Sequence, residues 1–218
     1  RRQAGFLDAL ESAVAVVKPA PTQARQGVYA ADDDTLDAWM KSFGGGSCLD
    51  ASRGHNRASL AEFISGSQYK MIRAMRDDTP IGRGCLRLLR VELPNGYKGL
   101  ALYMDHPMPT PAGHPGAAEQ KLMYQHSMAK AAAMKVPFMI ADAQMANQVA
   151  AERGLKAEHQ QVSVWLHRGV TGMHQSEGLN ANDYFIGWEG VNTGYAVTPA
   201  AQKEAARNYG LSVVMPPA

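Results

Sequence analysis

Two apolar segments joined by a Pro-Asn-Gly turn constrain the fold of this chain more than any other feature. Residues 83–93 and 97–104 are rich in apolar side chains, and residues 94–96 between them read Pro-Asn-Gly. Asn-Gly favours the positive backbone angles of a tight turn, and Pro interrupts a strand. The sequence therefore predicts an antiparallel pair of strands in the middle of the chain.

The residues before this strand pair are predicted to be mostly helical. The acidic triplet at residues 32–34 is expected to begin a helix that runs to Phe43, because negative charge is favoured at a helix N-terminus. Ser59 and Glu62 form a capping box for a second helix, whose buried face extends to Met75. An acidic triplet can also bind a metal ion, but a solvated helix start is the preferred interpretation. No metal site is predicted.

Helices and strands alternate after the strand pair, so the chain is predicted to be an α+β protein. The apolar patterns predict helices at 119–134 and 144–153 and strands at 136–140, 162–167, 184–188 and 191–197. A terminal helix is predicted over residues 199–209, with a short final strand over 211–215.

The first 30 residues are predicted to form an arm, and residues 31–218 a single domain. Residues 5–17 have the spacing of a short amphipathic helix, and residues 18–27 have the Pro and polar content of a linker. The net charge of +2 predicts neither nucleic acid nor a membrane surface as a partner.

The two cysteines argue against a disulfide scaffold or a zinc cluster and fit a reducing cytosol. Cys48 follows a glycine run, which raises the alternative of a thiol enzyme. However, sequence places no histidine beside Cys48, and a loop cysteine without chemistry is preferred. His106 and His114 lack the close spacing of zinc ligands.

Arg83 is the first candidate functional residue because it lies between Gly82 and Gly84. Neither neighbour has a Cβ that would keep a phosphate away from the backbone, and a guanidinium is a strong phosphate ligand. The alternative interpretation is a charged residue at the edge of a strand.

Taken in order, these segments resemble the arginine-directed mono-ADP-ribosyltransferase family, which carries an Arg, a Ser-Thr-Ser and a Glu-x-Glu motif. Residues 81–84 stand where the family's Arg-Gly holds the phosphates of NAD. Residues 138–150 have the frame of the second motif without its serines, and residues 181–186 stand at the third. The resemblance implies an ADP-ribosyltransferase-like split β-sheet core with a helical N-terminal portion. It also implies NAD as the cofactor, bound by Arg83 and Gly84.

The second and third motifs depart from the family. Asp183 replaces the catalytic Glu and Ala181 the first Glu of the third motif, with Glu177 and Glu189 as alternatives in another register. Asp142 replaces a hydroxyl and repels an anionic ligand by about 3 kcal/mol at ~5 Å and an effective dielectric near 20. Impaired NAD use is therefore expected. Asp142 and Asp183 are instead predicted to bind the guanidinium of an arginine-containing substrate.

The Pro-bearing arm extends the resemblance to type III effectors of plant-pathogenic bacteria, among them the XopAI-type effectors of Xanthomonas. It implies a virulence protein that a type III system secretes into the host cell cytosol. There it would engage an arginine-containing host protein or peptide. The alternative is an active arginine-specific mono-ADP-ribosyltransferase that modifies a host protein with NAD, with Asp183 as the catalytic carboxylate.

Overall fold

The computed structural model describes residues 26–32, 38, 42–43, 69–166 and 205–217. Ala38 and Ser42 are helical. The remaining described residues form eight strands and two helices: β1 (Val28–Asp32), β2 (Tyr69–Arg76), β3 (Thr79–Glu92), β4 (Lys98–Met104), β5 (Met108–Pro109), α1 (Ala117–Met134), β6 (Phe138–Ile140), α2 (Ala143–Ala151), β7 (Ala157–Leu166) and β8 (Ala205–Val214). No helix among these residues is long and apolar enough to span a membrane.

The strands form one mixed sheet in the order β1-β2-β3-β4-β6-β8-β7, with β5 paired to β3. The pairs along this order are antiparallel except for β4 and β6, which run in the same direction. Helix α1 connects these two strands, as a parallel pair requires a crossover. The predicted split core is therefore wrong for the described strands, which are continuous in one sheet.

The long strand β3 makes the sheet return on itself. Its first part pairs with β2 as far as Arg87, whereas its last residues pair with β7. In that second pairing Val91 stands opposite Val164. Strands β3, β4, β6, β8 and β7 therefore follow one another around a closed circuit of hydrogen-bonded pairs.

An apolar cluster lies on each face of the sheet: the outer cluster between the sheet and the helices, and the inner cluster on the opposite face. Because side chains alternate along a strand, Leu86 of β3 packs beneath the helices, whereas Leu89 and Val91 point the opposite way. Helices α1 and α2 both pack on the outer cluster. The inner cluster draws on all five strands of the circuit: Leu89, Val91, Leu93, Ala101, Tyr103, Met139, Val162, Val164, Tyr209, Leu211 and Val213.

The central strand pair, the two helices that follow it and the strand between them are confirmed. The turn closes with Gly96 at a φ of 88°, and the Leu93 N–H donates to the Tyr97 carbonyl at 2.9 Å. Helix α2 ends before Gly154, whose φ of 66° suits a residue without a Cβ. These elements depend on short-range signals that the sequence shows directly.

Two predicted helices are wrong where the structure describes them. Residues 69–76 form β2, and residues 205–209, predicted as the end of a helix, begin β8. In β2, the consecutive residues Met71 and Ile72 are both fully buried because the strand is covered on both faces. A continuous apolar run of this kind fits either a helix or a buried strand.

Other predictions fall partly or wholly outside the described residues. Asp32 of the acidic triplet ends strand β1 rather than beginning a helix, while Asp33 and Asp34 lie outside the described residues. So do the strands predicted at 184–188 and 191–197 and the part of the helix predicted from Ser59 that precedes residue 69. The arm boundary at residue 30 stays a prediction, because residues 1–25 are not described.

Candidate functional site

A buried ion pair lies where strand β4 ends. Arg87 of β3 is completely buried and donates a hydrogen bond from Nη2 to Oδ2 of Asp105, which is 8% exposed. Asp105 follows directly after the last residue of β4, and its N–H donates to the Cys85 carbonyl at 3.0 Å. The carboxylate is therefore fixed by its own backbone and by a side chain of the neighbouring strand.

The environment of Asp105 raises the pKa of its carboxyl group toward neutrality. Burial raises the pKa of this carboxyl to about 7, although the charge and hydrogen bond of Arg87 oppose the shift. Its Oδ1 is buried and accepts no hydrogen bond from the described residues. A carboxyl whose pKa lies near neutrality can both accept and release a proton under ordinary conditions, as a general base must.

Cys85 lies near this pair but is not a candidate nucleophile. Its thiol is buried, and burial raises its pKa to about 12. The thiolate, which is the nucleophilic form, is therefore nearly absent at neutral pH.

Beside Asp105, the two parallel strands stop pairing. The register between β4 and β6 consists of Leu102 with Phe138 and Tyr103 with Met139. Leu102 N–H donates to the Pro137 carbonyl at 2.9 Å, and this bond determines which backbone groups of β4 face β6. In a continued parallel ladder the Met104 carbonyl would next accept from the Ala141 N–H, but the register ends before that pair.

At the end of this ladder each strand is still paired on its other side. Met104 pairs with Leu86 of β3, whereas Ile140 pairs with Ser212 of β8. We call the place where this ladder ends, at residues 104–106 and residues 140–142, the β4–β6 crevice. It lies at the carboxyl ends of two parallel strands, which is the usual location of ligand sites in sheets with such a pair.

The N-terminus of α1 is capped from within its own first turn. The carboxylate of Glu119 accepts backbone hydrogen bonds at Glu119 and Gly116 and a 2.8 Å hydrogen bond from Arg76 Nη2. These hydrogen bonds lower the pKa of Glu119, the backbone bond at Glu119 being the largest cause. An anion that binds at this helix terminus would have to displace Glu119.

The structure gives Arg83 and Gly84 roles within the protein. Arg83 Nε donates to the Ser42 carbonyl at 2.8 Å, and its guanidinium carbon lies 4.1 Å from the centre of the Phe43 ring. A Cβ on Gly84 would come within 2.6 Å of the Met104 methyl group, so this glycine provides room for core packing. Arg83 thus holds residues 42–43 against β3.

The predicted acidic pocket is described only in part. Asp142 is the N-cap of α2, and its Oδ1 accepts from the Met145 N–H at 2.9 Å, an ordinary capping contact. Asp183 lies outside the described residues, as do Ala181, Glu177, Glu189 and Cys48. Because β4 lies between β3 and β6, Arg83 and Asp142 are not on neighbouring strands. The pairing of Asp142 with Asp183 stays a prediction.

Sequence reasoning missed Arg87 and Asp105. The available signals were an arginine inside an apolar run, at residues 85–89, and an aspartate directly after the apolar end of a strand. Neither signal shows that the two side chains meet. The structure also shows no group of three or more His, Cys, Asp or Glu residues suited to a metal ion within its described residues.

No protein family and no curated protein matches the sequence. Two solved structures resemble the fold at a TM-score of 0.40 each. One is a conserved protein of unknown function from Enterococcus faecalis, described as a probable N-acyltransferase, with 12% identity over 70% of this chain and 38% of that chain. The other is a GNAT-family acetyltransferase from Brucella melitensis in complex with acetyl-CoA, with 13% identity over 61% of this chain and 85% of that chain.

These findings correct the predicted family. Neither similar structure is an ADP-ribosyltransferase, so the ADP-ribosyltransferase fold, the effector function built on it and NAD as the cofactor are wrong. The ligand named for the Brucella protein is acetyl-CoA. No sequence match supports a XopAI-type effector. The arginine-containing host partner and the secretion into host cytosol stay predictions that neither the structure nor these similarities tests.

Proposed function

We propose that the chain binds an acyl thioester of coenzyme A in the β4–β6 crevice and transfers the acyl group to an amine. The observation that supports this proposal is the interruption of the β4–β6 ladder beside Asp105. The geometry of this crevice, rather than the weak likeness to solved structures, is the basis of the proposal.

The interrupted ladder suits an extended ligand that contains amide groups. Beyond the last paired residues, the Met104 carbonyl and the Ala141 N–H are not joined to one another in the register. An amide placed between two strands beyond their last pair can donate to one strand and accept from the other, as in strand addition. The pantetheine arm of coenzyme A carries two amides on a flexible chain and ends in the thioester.

In the proposed reaction, Asp105 removes the proton that is released. The amine nitrogen attacks the thioester carbonyl carbon, a C–N bond forms, and the C–S bond breaks. The nitrogen loses a proton to the Asp105 carboxylate, and the departing sulfur takes up a proton to become the free thiol. Because the pKa of Asp105 is about 7, its carboxylate form is present at neutral pH and its conjugate acid is not too weak to return the proton.

The test separates binding from turnover. Acetyl-CoA is titrated calorimetrically into the full chain, and thiol release is followed with a panel of primary amines. Asp105→Asn should lower the rate by about a hundredfold or more while acetyl-CoA still binds. The wild-type rate should rise with pH to a plateau above about 7, and the variant should lack this dependence. Glu158→Gln, which removes an exposed carboxylate of β7, is the matched control.

A second variant tests the crevice itself. Ala141→Pro removes the N–H that would bond the ligand and should weaken acetyl-CoA binding by about tenfold. Ala141 is exposed and precedes α2, so the sheet should remain intact. Folded protein that binds no acetyl-CoA at about 1 mM would refute the proposal. Binding that both variants leave unchanged would place the ligand elsewhere and refute it equally.

A further inference from the structure

A cavity of about 340 Å³ lies at the opposite end of β6 from the crevice. Its walls come from the last turns of α1, the start of β6, the segment after α2, and the chain that follows β8. This volume falls within the range of small-molecule sites in proteins. The lining residues are Met128, Ala131, Ala132, Val136, Phe138, Arg153, Leu155, Val214, Met215, Pro216 and Pro217.

The inner wall of the cavity is part of the outer core cluster. Met128, Ala131, Phe138 and Val214 are each at most 2% exposed and carry no polar side-chain group that could bond a ligand. Burial of a ligand's hydrocarbon surface against such a wall is favourable by about 25 cal/mol for each Å² removed from water. The body of a ligand that binds here must therefore be apolar.

Arg153 supplies the single charge in the lining. It follows the end of α2 and is exposed at the rim, and no described carboxylate pairs with it. The adjacent Glu152 is engaged differently, because it accepts hydrogen bonds from both Lys121 and Gln125. A guanidinium at the rim of an apolar cavity favours a carboxylate at that end of the ligand.

We infer that this cavity binds an amphipathic monocarboxylate, a compound with an alkyl or aryl body and one carboxylate group. The body lies against Phe138 and Met128, and the carboxylate lies beside Arg153 at the rim. This inference does not depend on the proposed acyl transfer, because the crevice lies at residues 140–142, at the other end of the strand.

Decanoate is the probe, with decan-1-ol as the neutral ligand of equal chain length. Both are titrated into the full chain and followed by amide chemical shifts. We expect saturable shifts at Ala132, Val136 and Leu155, and tighter binding of decanoate. Arg153→Gln should weaken decanoate binding about threefold and leave decan-1-ol unchanged, since exposed ion pairs contribute modestly. Lys156→Gln, which removes an exposed charge three residues away and outside the lining, should change neither affinity.

Filling the cavity tests the position of the apolar body. Ala132 is only half-buried, so Ala132→Phe should fold and abolish binding of both ligands, and Ala132→Leu provides a smaller filler if it does not. Saturable decanoate binding that the filling variant leaves intact would overturn the inference. Equal affinities for decanoate and decan-1-ol, or shifts confined to other parts of the chain, would overturn it as well.

Discussion

Asp105 shows how a single carboxyl acquires properties that its sequence position does not suggest. It follows an apolar strand and precedes a Pro-rich loop, a context that usually indicates a solvated turn residue. In the structure it is buried against Arg87, and burial raises its pKa from 3.8 to about 7. The free energy needed to remove the carboxylate charge from water exceeds the free energy gained from Arg87, because one carboxyl oxygen accepts no hydrogen bond from the described residues.

This shift predicts a pH dependence of stability. The folded protein holds the Asp105 proton up to pH about 7, whereas the unfolded chain releases it near 3.8. The folded state therefore binds more protons between these values, and the free energy of unfolding should fall as pH rises through them. Urea unfolding at several pH values measures this, with Asp105→Asn as the comparison. An identical pH slope in wild type and variant would contradict the assigned pKa.

The glycines beside Arg83 show how a pattern in the sequence can have more than one structural reason. Two flanking glycines suggested a backbone open to a phosphate, but the protein fills that space itself. A Cβ on Gly82 would lie 2.7 Å from the Pro115 ring, and one on Gly84 would meet the Met104 methyl group. The absence of a Cβ allows close approach of any atom, and only the fold decides which atom approaches.

At the scale of the elements, one carboxylate joins the edge strand β1 to helix α1. The Asp32 carboxylate contacts side-chain nitrogens of Lys130, of His126 at 3.2 Å and of Lys70 in β2 at 3.7 Å. Burial raises the pKa of Asp32, but the hydrogen bond from Lys130 and the three positive charges outweigh it and lower the pKa. The acidic residue that was predicted to begin a helix therefore connects a strand to a different helix.

Removing this carboxylate should weaken the docking of β1. Asp32→Asn is expected to cost about 1 kcal/mol of unfolding free energy at pH 7. Because the folded pKa lies below the unfolded value of 3.8, the difference should persist above that value and vanish as pH falls through the folded pKa. Chemical denaturation at pH 7 and in acid tests this, with Glu158→Gln as a control that should show no such loss. A loss that is equal at both pH values would contradict the ion-pair account.

One predicted helix is confirmed and another is a strand because the two segments are buried differently. Residues 117–134 pack one side on the sheet, and the buried residues recur at the three- and four-residue spacing of a helix: Met123, Tyr124, Ser127, Met128 and Ala131. Residues 69–76 lie between β1 and β3 and have apolar side chains on both faces, so their periodicity was not diagnostic.

For the molecule as a whole, the pairing of β3 with β7 closes the circuit around the inner cluster. The two strands are separated by three others along the sheet and meet because the sheet coils strongly. Val91 and Val164, at most 1% exposed, face each other at this junction. Their contact is the most direct test of closure.

A double-mutant cycle measures that contact. Val91→Ala and Val164→Ala should each cost about 2 kcal/mol from lost burial and the cavity that remains. Because the residues are directly opposite, the double variant should deviate from additivity by about 0.5 kcal/mol or more. Val91→Ala combined with Val149→Ala in the outer cluster should be additive, since α2 packs on the other face. Additivity in both cycles would refute the closure.

The sequence by itself determined the elements whose signals are local. The turn at residues 94–96, the two helices after β4 and the glycine that ends α2 follow from side chains within a few positions of one another. It also singled out the strand that contributes to the candidate site, although it selected Arg83 rather than Arg87 on that strand. Short-range backbone preferences act whatever the rest of the chain does.

Only the tertiary structure decided the strand identity of residues 69–76 and 205–209, the order of the sheet and the role of Asp105. Each depends on partners from other elements: β8 pairs with both β6 and β7, and Asp105, at the end of β4, meets Arg87 of the neighbouring strand β3. Burial sets both the choice between helix and strand in an apolar run and the protonation of a carboxyl. Burial is a property of the packed chain, and residue order alone does not reveal it.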